Sequence, residues 1–424
     1  MTVTDFKSKI KAYISPFEEY TLFFLKWIFF GVIIGAAGGI IGAAFSKSIT
    51  FVTHIRTQND WLIYLLPIGG AIIAGLYSIF KVKGIGTNEV FEGVRTEKKV
   101  PVLLAPAVFA GSVITHLLGG SAGREGAALQ LGGSIASLMG KIFKLSEKSR
   151  HILIMCGMSA IFSAVFGTPL CAAVFAVEVV SIGYMYSSAL FPCIVSSITA
   201  CFISGLFGIT PESFTVDFIP RFGILSLSQV LLIGIICAAV STVFCKTMHI
   251  SGRLFERFLK NPYLRAAVGG IIIVALTLIL NTRDYNGGGM DVIERIFHTG
   301  EVKPEAFLIK IIFTAITIGA GFKGGEIVPT LFIGATLGGS AAILIGLSAP
   351  FGAAVGMAAM FCGVTNCPIA TILLSVELFG TNGIIFYTLA AFASFLLSGY
   401  SSLYHGQKII FSKLCEDVID INGK

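Results

Sequence analysis

The chain has 424 residues, 55% of them hydrophobic and only 12% charged, against about 25% charged in soluble globular chains, which excludes a protein built to work in water. The net charge of +7 does not indicate a nucleic-acid partner, because no basic stretch is interleaved with a nucleic-acid motif. Positive charge gathers instead in residues 7–11, 141–150 and 246–265, the bias of cytoplasmic loops in membrane proteins.

Residues 1–19 form an acidic, lysine-containing segment, expected to remain cytoplasmic as an interfacial amphipathic helix. The apolar run that follows is too long for the core of a cleavable signal peptide. A bilayer core about 30 Å thick needs ~20 apolar residues of helix. Residues 22–45, 61–80, 230–245, 266–280 and 384–397 reach or approach that length, with shorter, glycine-broken runs between them. Only helices and closed barrels satisfy their backbone in lipid, and the runs lack barrel alternation, so they read as helices. The division expected is a first membrane half over residues 20–210, a second over 211–412, and a short cytoplasmic tail over 413–424. The nine cysteines sit mostly inside apolar segments without CxxC spacing or histidine partners. They read as small buried hydrophobes, and no disulfide, metal site or cofactor is expected.

The chain repeats itself. The stretch from Gly157-Met158 to Pro169-Leu170 matches that from Gly356-Met357 to Pro368-Ile369, with Phe162 and Phe361 at the same spacing. Nine residues beyond each proline stands a glutamate in an apolar run, Glu178 and Glu377. A looser pair precedes these in the same order: Gly123-Arg124-Glu125-Gly126 and Gly325-Glu326-Ile327-Val328. Internal repeats are the mark of transporter folds with a pseudo-two-fold axis, which bind substrate near mid-membrane between broken helices. Gly119, Gly120 and Gly123 interrupt the apolar context before Glu125, and Gly319, Gly321, Gly324 and Gly325 do so before Glu326. Glycine lets backbone approach a ligand, and the free N–H groups of the helix that follows favour an anion. Gly31 and Gly35, by contrast, suit close helix packing.

The acidic residues within apolar segments are Glu125, Glu178, Glu326 and Glu377. A charge at the bilayer centre costs roughly 2.5–3.5 kcal/mol on insertion scales, so each needs a partner, a water path or a proton. Glu178 and Glu377 are expected to accept backbone N–H bonds at helix starts. Glu125 and Glu326, at glycine-broken helix beginnings, would themselves be held by an anion site.

Gly119-Gly120-Ser121-Ala122-Gly123-Arg124-Glu125-Gly126 resembles the GSxGxEGP signature of the CLC (chloride-channel) family of anion channels and proton antiporters. The order of elements agrees along nearly the whole chain: a Gly-rich turn over residues 83–88, the Arg124-Glu125 helix, the Pro169 to Glu178 helix, the Gly325 to Pro329 helix, and Leu403-Tyr404. Ala127 replaces the usual proline. Val179 stands where chloride–proton antiporters of the family carry a second glutamate. Glu326 resembles the glutamate of the fluoride–proton antiporter branch. Gly84-Ile85-Gly86-Thr87-Asn88 replaces Gly-Ser-Gly-Ile-Pro, so the serine suited to chloride is absent and Thr87 stands near the position where the fluoride branch often has methionine.

The resemblance implies a CLC-type fold of two inverted repeats with broken helices, a homodimer in the cell membrane with both termini cytoplasmic, and no cytoplasmic regulatory domain after Phe411. It implies that Glu125 is the gate: unprotonated, it occupies the anion position, and protonated, it swings away, so that anion and proton flux exclude one another. The transported pair would be fluoride and protons, with chloride the competing anion. Gly86, Thr87, Asn88, Tyr404 and the backbone amides of Ile327 and Val328 would line the anion site, the hydroxyls of Thr87 and Tyr404 each able to donate one bond. Glu326 would couple anion to proton, and Arg124 is left without a role. No HExxH run or Ser/His arrangement suggests an enzyme. A passive anion channel of the same fold is the competing reading.

Overall fold

The computed structural model describes residues 3–96, 98–415 and 417–423, with side chains in the first helix from Glu19 onward. Eight helices make up each half. The first half runs α1 (Val3–Gln58), a 3-10 turn (Asp60–Leu65), α2 (Leu66–Ile79), α3 (Thr87–Arg95), α4 (Leu104–Leu118), α5 (Glu125–Ile142), α6 (Glu147–Phe166), α7 (Pro169–Glu178) and α8 (Ser187–Leu206). The second runs α9 (Ile224–Phe258), α10 (Pro262–Leu280), α11 (Met290–Thr299), α12 (Ala306–Gly319), α13 (Ile327–Leu344), α14 (Ala349–Thr365), α15 (Pro368–Phe379) and α16 (Ile384–Leu397). The repeat seen in two stretches of sequence therefore extends to all eight helices, taken in order. It includes the short α3 and α11 and the equal-length pair α5 and α13, 18 residues each.

The breaks arise from the residues at the joints. Helix α6 stops at Gly167 and α14 at Asn366, both in the left-handed region that glycine and asparagine tolerate. Pro169 and Pro368 then start the next helices, where a missing N–H costs nothing. Helices α6 and α14 are apolar all round and lie at the centre of the halves, with every residue from Leu153 to Phe166 and from Phe351 to Thr365 buried. They reach their partners α5 and α13 by backbone contact. A side chain on Gly132 would enter the carbonyl of Gly157, and one on Gly334 would enter that of Gly356. Gly31 and Gly35 pack against Val195 and Ser196 of α8, as their spacing suggested.

Glu178 and Glu377 bind the two halves reciprocally. The carboxylate of Glu178, at the end of α7, accepts the N–H groups of Ile369 (3.1 Å) and Ala370 (2.8 Å) at the start of α15. That of Glu377, near the end of α15, accepts those of Leu170 (2.8 Å) and Cys171 (2.9 Å) at the start of α7. Each helix thus supplies an anion to the other's positive end.

The helical architecture carries one small sheet besides, in which β1 (Ser181–Ile182) pairs in parallel with β2 (Lys408–Phe411) and β2 pairs antiparallel with β3 (Val418–Asn422). Residues 413–424 accordingly include a paired strand. Residues 246–258 are not a loop, because α9 continues to Phe258. Helix α1 shows no break at residue 19 or 20.

Replacing Glu377 with alanine leaves two helix-start amides in a membrane interior without acceptors. The loss expected is about 1.5–3 kcal/mol, the worth of hydrogen bonds to a charged group. It would be read as a lower midpoint for thermal unfolding of the detergent-solubilised protein, with Glu377→Asp intermediate.

Candidate functional site

The two glycine-broken loops meet. Gly123 N–H donates to the carbonyl of Gly325 at 2.6 Å, and Gly325 N–H donates to that of Gly123 at 2.7 Å, an isolated antiparallel bridge on the axis between the repeats. Helices α5 and α13 start within three residues of this bridge and carry their free N–H groups toward it. In α5 the first intrahelical bond is Ala128 N–H to Arg124 C=O, and in α13 it is Thr330 N–H to Glu326 C=O, each 3.0 Å. The amides of Ile327 and Val328 precede that bond and have no acceptor among the described residues. Pro329 has no N–H to offer. The approach permits no side chains: a Cβ on Gly126 would lie 2.8 Å from the Gly325 Cα and 3.1 Å from a carboxylate oxygen of Glu326.

The two carboxyls adjoin the bridge in sequence but have different surroundings. Glu125 is 0% exposed. Its Oε2 accepts the Arg124 N–H at 3.1 Å, while its Oε1 has no hydrogen bond and only the Arg124 Nε at 3.5 Å. Glu326, half-buried, takes a backbone bond only from its own N–H among the described residues, and it lines a cavity of about 570 Å³ shared with Gly86, Asn88, Lys323, Arg265 and His405. The residues expected to line an anion site divide between this cavity and the protein interior. Thr87 opens α3, and its Oγ1 accepts Gln130 Nε2 of α5 at 3.0 Å, so its own proton is free for another acceptor. Gly86, at the N-cap, donates its N–H to Glu89 at 2.7 Å. Asn88 Oδ1 accepts the Gly406 N–H at 2.8 Å, tying the start of α3 to the segment that carries Tyr404. The ring of Tyr404, edge-on to Phe91 at 5.2 Å, is 3% exposed, and its hydroxyl is buried without a partner. In a hydrocarbon setting such an orphaned hydroxyl is costly, and an anion is the kind of group that would satisfy it.

Sequence reasoning did not single out Gln130 or Glu212. Gln130 stands on the buried face of α5, where only the fold shows that it meets Thr87. Glu212 lies in the link between the halves, and its Oε1 is 2.6 Å from an Arg124 amino nitrogen.

Comparison with known proteins identifies the family and the fold. Residues 69–399 match the family described as voltage gated chloride channel. A "Chloride/fluoride channel protein" from Pseudomonas syringae pv. tomato is 35% identical over 92% of this chain and 87% of its own length. An "H(+)/Cl(-) exchange transporter ClcA" from Vibrio campbellii is 27% identical over 88% of this chain and 85% of its own. Among solved structures, that of a CLC-type fluoride/proton antiporter superposes with a TM-score of 0.87 at 32% identity, covering 91% of this chain and 98% of that one. That of a slow cyanobacterial Cl-/H+ antiporter, at 20% identity and a TM-score of 0.77, shares the fold.

A methyl group at Gly325 would strike the Gly126 backbone nitrogen, and backbone cannot yield as a flexible side chain does. Gly325→Ala is expected to open the bridge at an overpacking cost of about 1–3 kcal/mol. It should abolish anion flux in proteoliposomes while the protein still elutes as a single species in size-exclusion chromatography.

Proposed function

This chain belongs to the voltage-gated chloride channel family, whose members are transporters or channels rather than enzymes, and from that premise we propose that it exports fluoride in exchange for inward protons. The observation that carries the reading is the pair of carboxyls flanking the glycine bridge: Glu125 shut away from water, Glu326 facing a cavity. A coupled exchanger needs one group that competes with the anion and another that passes the proton on. Glu125, charged, takes the anion position at the free amides of α5 and α13; protonated, it leaves that position to fluoride. Glu326, protonated, donates a short O–H bond to fluoride, the strong charge-assisted kind. Chloride, larger and a weaker acceptor, gains less. The hydroxyls of Thr87 and Tyr404 and the amides of Ile327 and Val328 supply the remaining donors. Gly86 and Asn88 fix the α3 end of the site.

The reading is supported by the fluoride/proton antiporter whose structure this chain matches at 32% identity, and by Val179 in place of a second carboxylate. The basic cavity wall, which includes Lys323 and Arg265, would draw anions in from the cytoplasm. The two halves, residues 20–210 and 211–412, act as one unit in a homodimer of the cell membrane with both termini cytoplasmic. A second reading, chloride transport or a passive anion channel of the same fold, is favoured by the name of the Pseudomonas relative.

Paired fluoride and chloride efflux with pH recording from proteoliposomes tests the choice. Fluoride efflux should exceed chloride efflux and drive protons uphill; equal or faster chloride efflux would return the protein to general anion transport. Glu125→Gln, which cannot cycle between charged and neutral forms, should cut coupled proton movement roughly a hundredfold or more.

In the same assay Glu326→Gln should lose coupling or fluoride transport while the protein still folds. An unaffected variant would remove Glu326 from the mechanism and leave fluoride as the substrate.

A further inference from the structure

Arg124 adjoins the gate in sequence, yet its guanidinium is committed elsewhere. One amino group donates to Glu212 Oε1 at 2.6 Å and the other to the Ser46 hydroxyl at 3.2 Å. Only Nε faces Glu125, at 3.5 Å, beyond the 2.7–2.9 Å of a well-made N–H to carboxylate bond. Glu125 Oε1 is left buried without a hydrogen bond. The holder is itself rigid. Glu212 lies in the link between α8 and α9, where its N–H donates to Phe166 C=O at 3.4 Å and the nearby Phe214 N–H donates to Leu378 C=O at 2.8 Å. The Phe214 ring stacks on Phe297 at 4.6 Å. The link is therefore pinned to both halves, and Glu212 with it.

Other charged groups nearby are engaged. His116 of α4 holds the Ser112 carbonyl, Arg56 of α1 donates to the His116 carbonyl, and Lys310 of α12 donates to the carbonyls of Tyr285 and Gly287. Glu89 of α3 accepts the Gly86 N–H. Glu326 follows the Gly325 of the bridge, with Lys323 three residues before it. Among the described residues the one cation paired with Glu125 is thus Arg124, and its distance is set by Glu212 and Ser46.

We propose that Glu212 is a positioning residue for the gate: it draws the Arg124 guanidinium off Glu125, so that the carboxylate is held loosely enough to take a proton and leave the anion position. This rests on the reading of Glu125 as the gate. Were Arg124 released, it could close on Glu125 with a full ion pair, and the charged form would be favoured. Loss of the Glu212 charge acts in the same direction, because a like charge nearby disfavours ionisation. Both effects require more acid to open the path.

The test is the pH dependence of anion efflux from proteoliposomes, for fluoride and chloride separately, comparing wild type with Glu212→Gln, Glu212→Asp and Ser46→Ala. Glu212→Gln should move the activating limb about one unit to lower pH, a tenfold change in proton concentration. Ser46→Ala should move it less, in the same direction, and Glu212→Asp should restore the wild-type profile. In a Glu125→Gln background the Glu212 substitution should shift nothing. Efflux scaled down at every pH with an unmoved limb would overturn the proposal and leave Glu212 a structural tie. Should Glu212→Gln not fold, an unmoved limb in Ser46→Ala would overturn it equally. Failure of the antiport reading would show separately, as anion efflux without proton uptake in the wild type.

Discussion

Two hydrogen bonds, between Gly123 and Gly325 in both directions, fix what the rest of the protein must do. They bring the starts of α5 and α13 together, and two helix starts meeting in a membrane concentrate unpaired N–H groups and positive potential where no water is at hand. An anion or a carboxylate must answer that potential. Glu125 and Glu326 are the carboxyls at these two helix starts, and a side chain on Gly123 or Gly126 would crowd them, as one on Gly325 would crowd the backbone of Gly126. The glycines and glutamates are therefore one requirement expressed in two residue types.

A structure assembled from half-helices carries many such ends, and this one closes two of them by reciprocal capping. The starts of α7 and α15 are each capped by a carboxylate from the opposite helix. Residues of one repeat thus complete the other, and the capping that keeps two helix starts closed throws into relief the two that remain open. A buried carboxylate can be a fastening or a working part, and the difference lies in its donors: two backbone amides of the opposite helix each for Glu178 and Glu377, and only amides of their own helix start for Glu125 and Glu326.

Much of this was legible from residue order. The spacing of Gly157, Pro169 and Glu178 against Gly356, Pro368 and Glu377 gives the repeat, because identical helix joints need identical punctuation. The glycine clusters mark the broken helices, and lone carboxylates in apolar runs stand out through the cost of placing them there. The contacts that depend on tertiary proximity were not legible. Gln130 reaches Thr87 across two helices, and Glu212 reaches Arg124 from a connecting segment with no periodicity to interpret. Asn88, expected at the anion, spends its side-chain oxygen on Gly406. The small sheet was invisible because β1 is two residues long and its partner lies more than two hundred positions away. The continuation of α9 through a basic stretch was missed because charge alone suggested a loop.

That sheet has a consequence for the order of assembly. Strand β1 belongs to the first half, yet its only neighbour is β2, and β2 is flanked in turn by β3 near the end of the chain. During synthesis, the first half can be inserted and packed long before its edge at Ser181–Ile182 has anything to pair with. Closure waits for β2 and β3 to be made, and the segment bearing Tyr404 lies just ahead of them. The Gly423 N–H donates back to Gln407 C=O at 2.9 Å, three residues past that tyrosine. The Tyr404 segment is thus fastened late, so a chain interrupted before β3 would leave the helices of both repeats made and that segment without its tether.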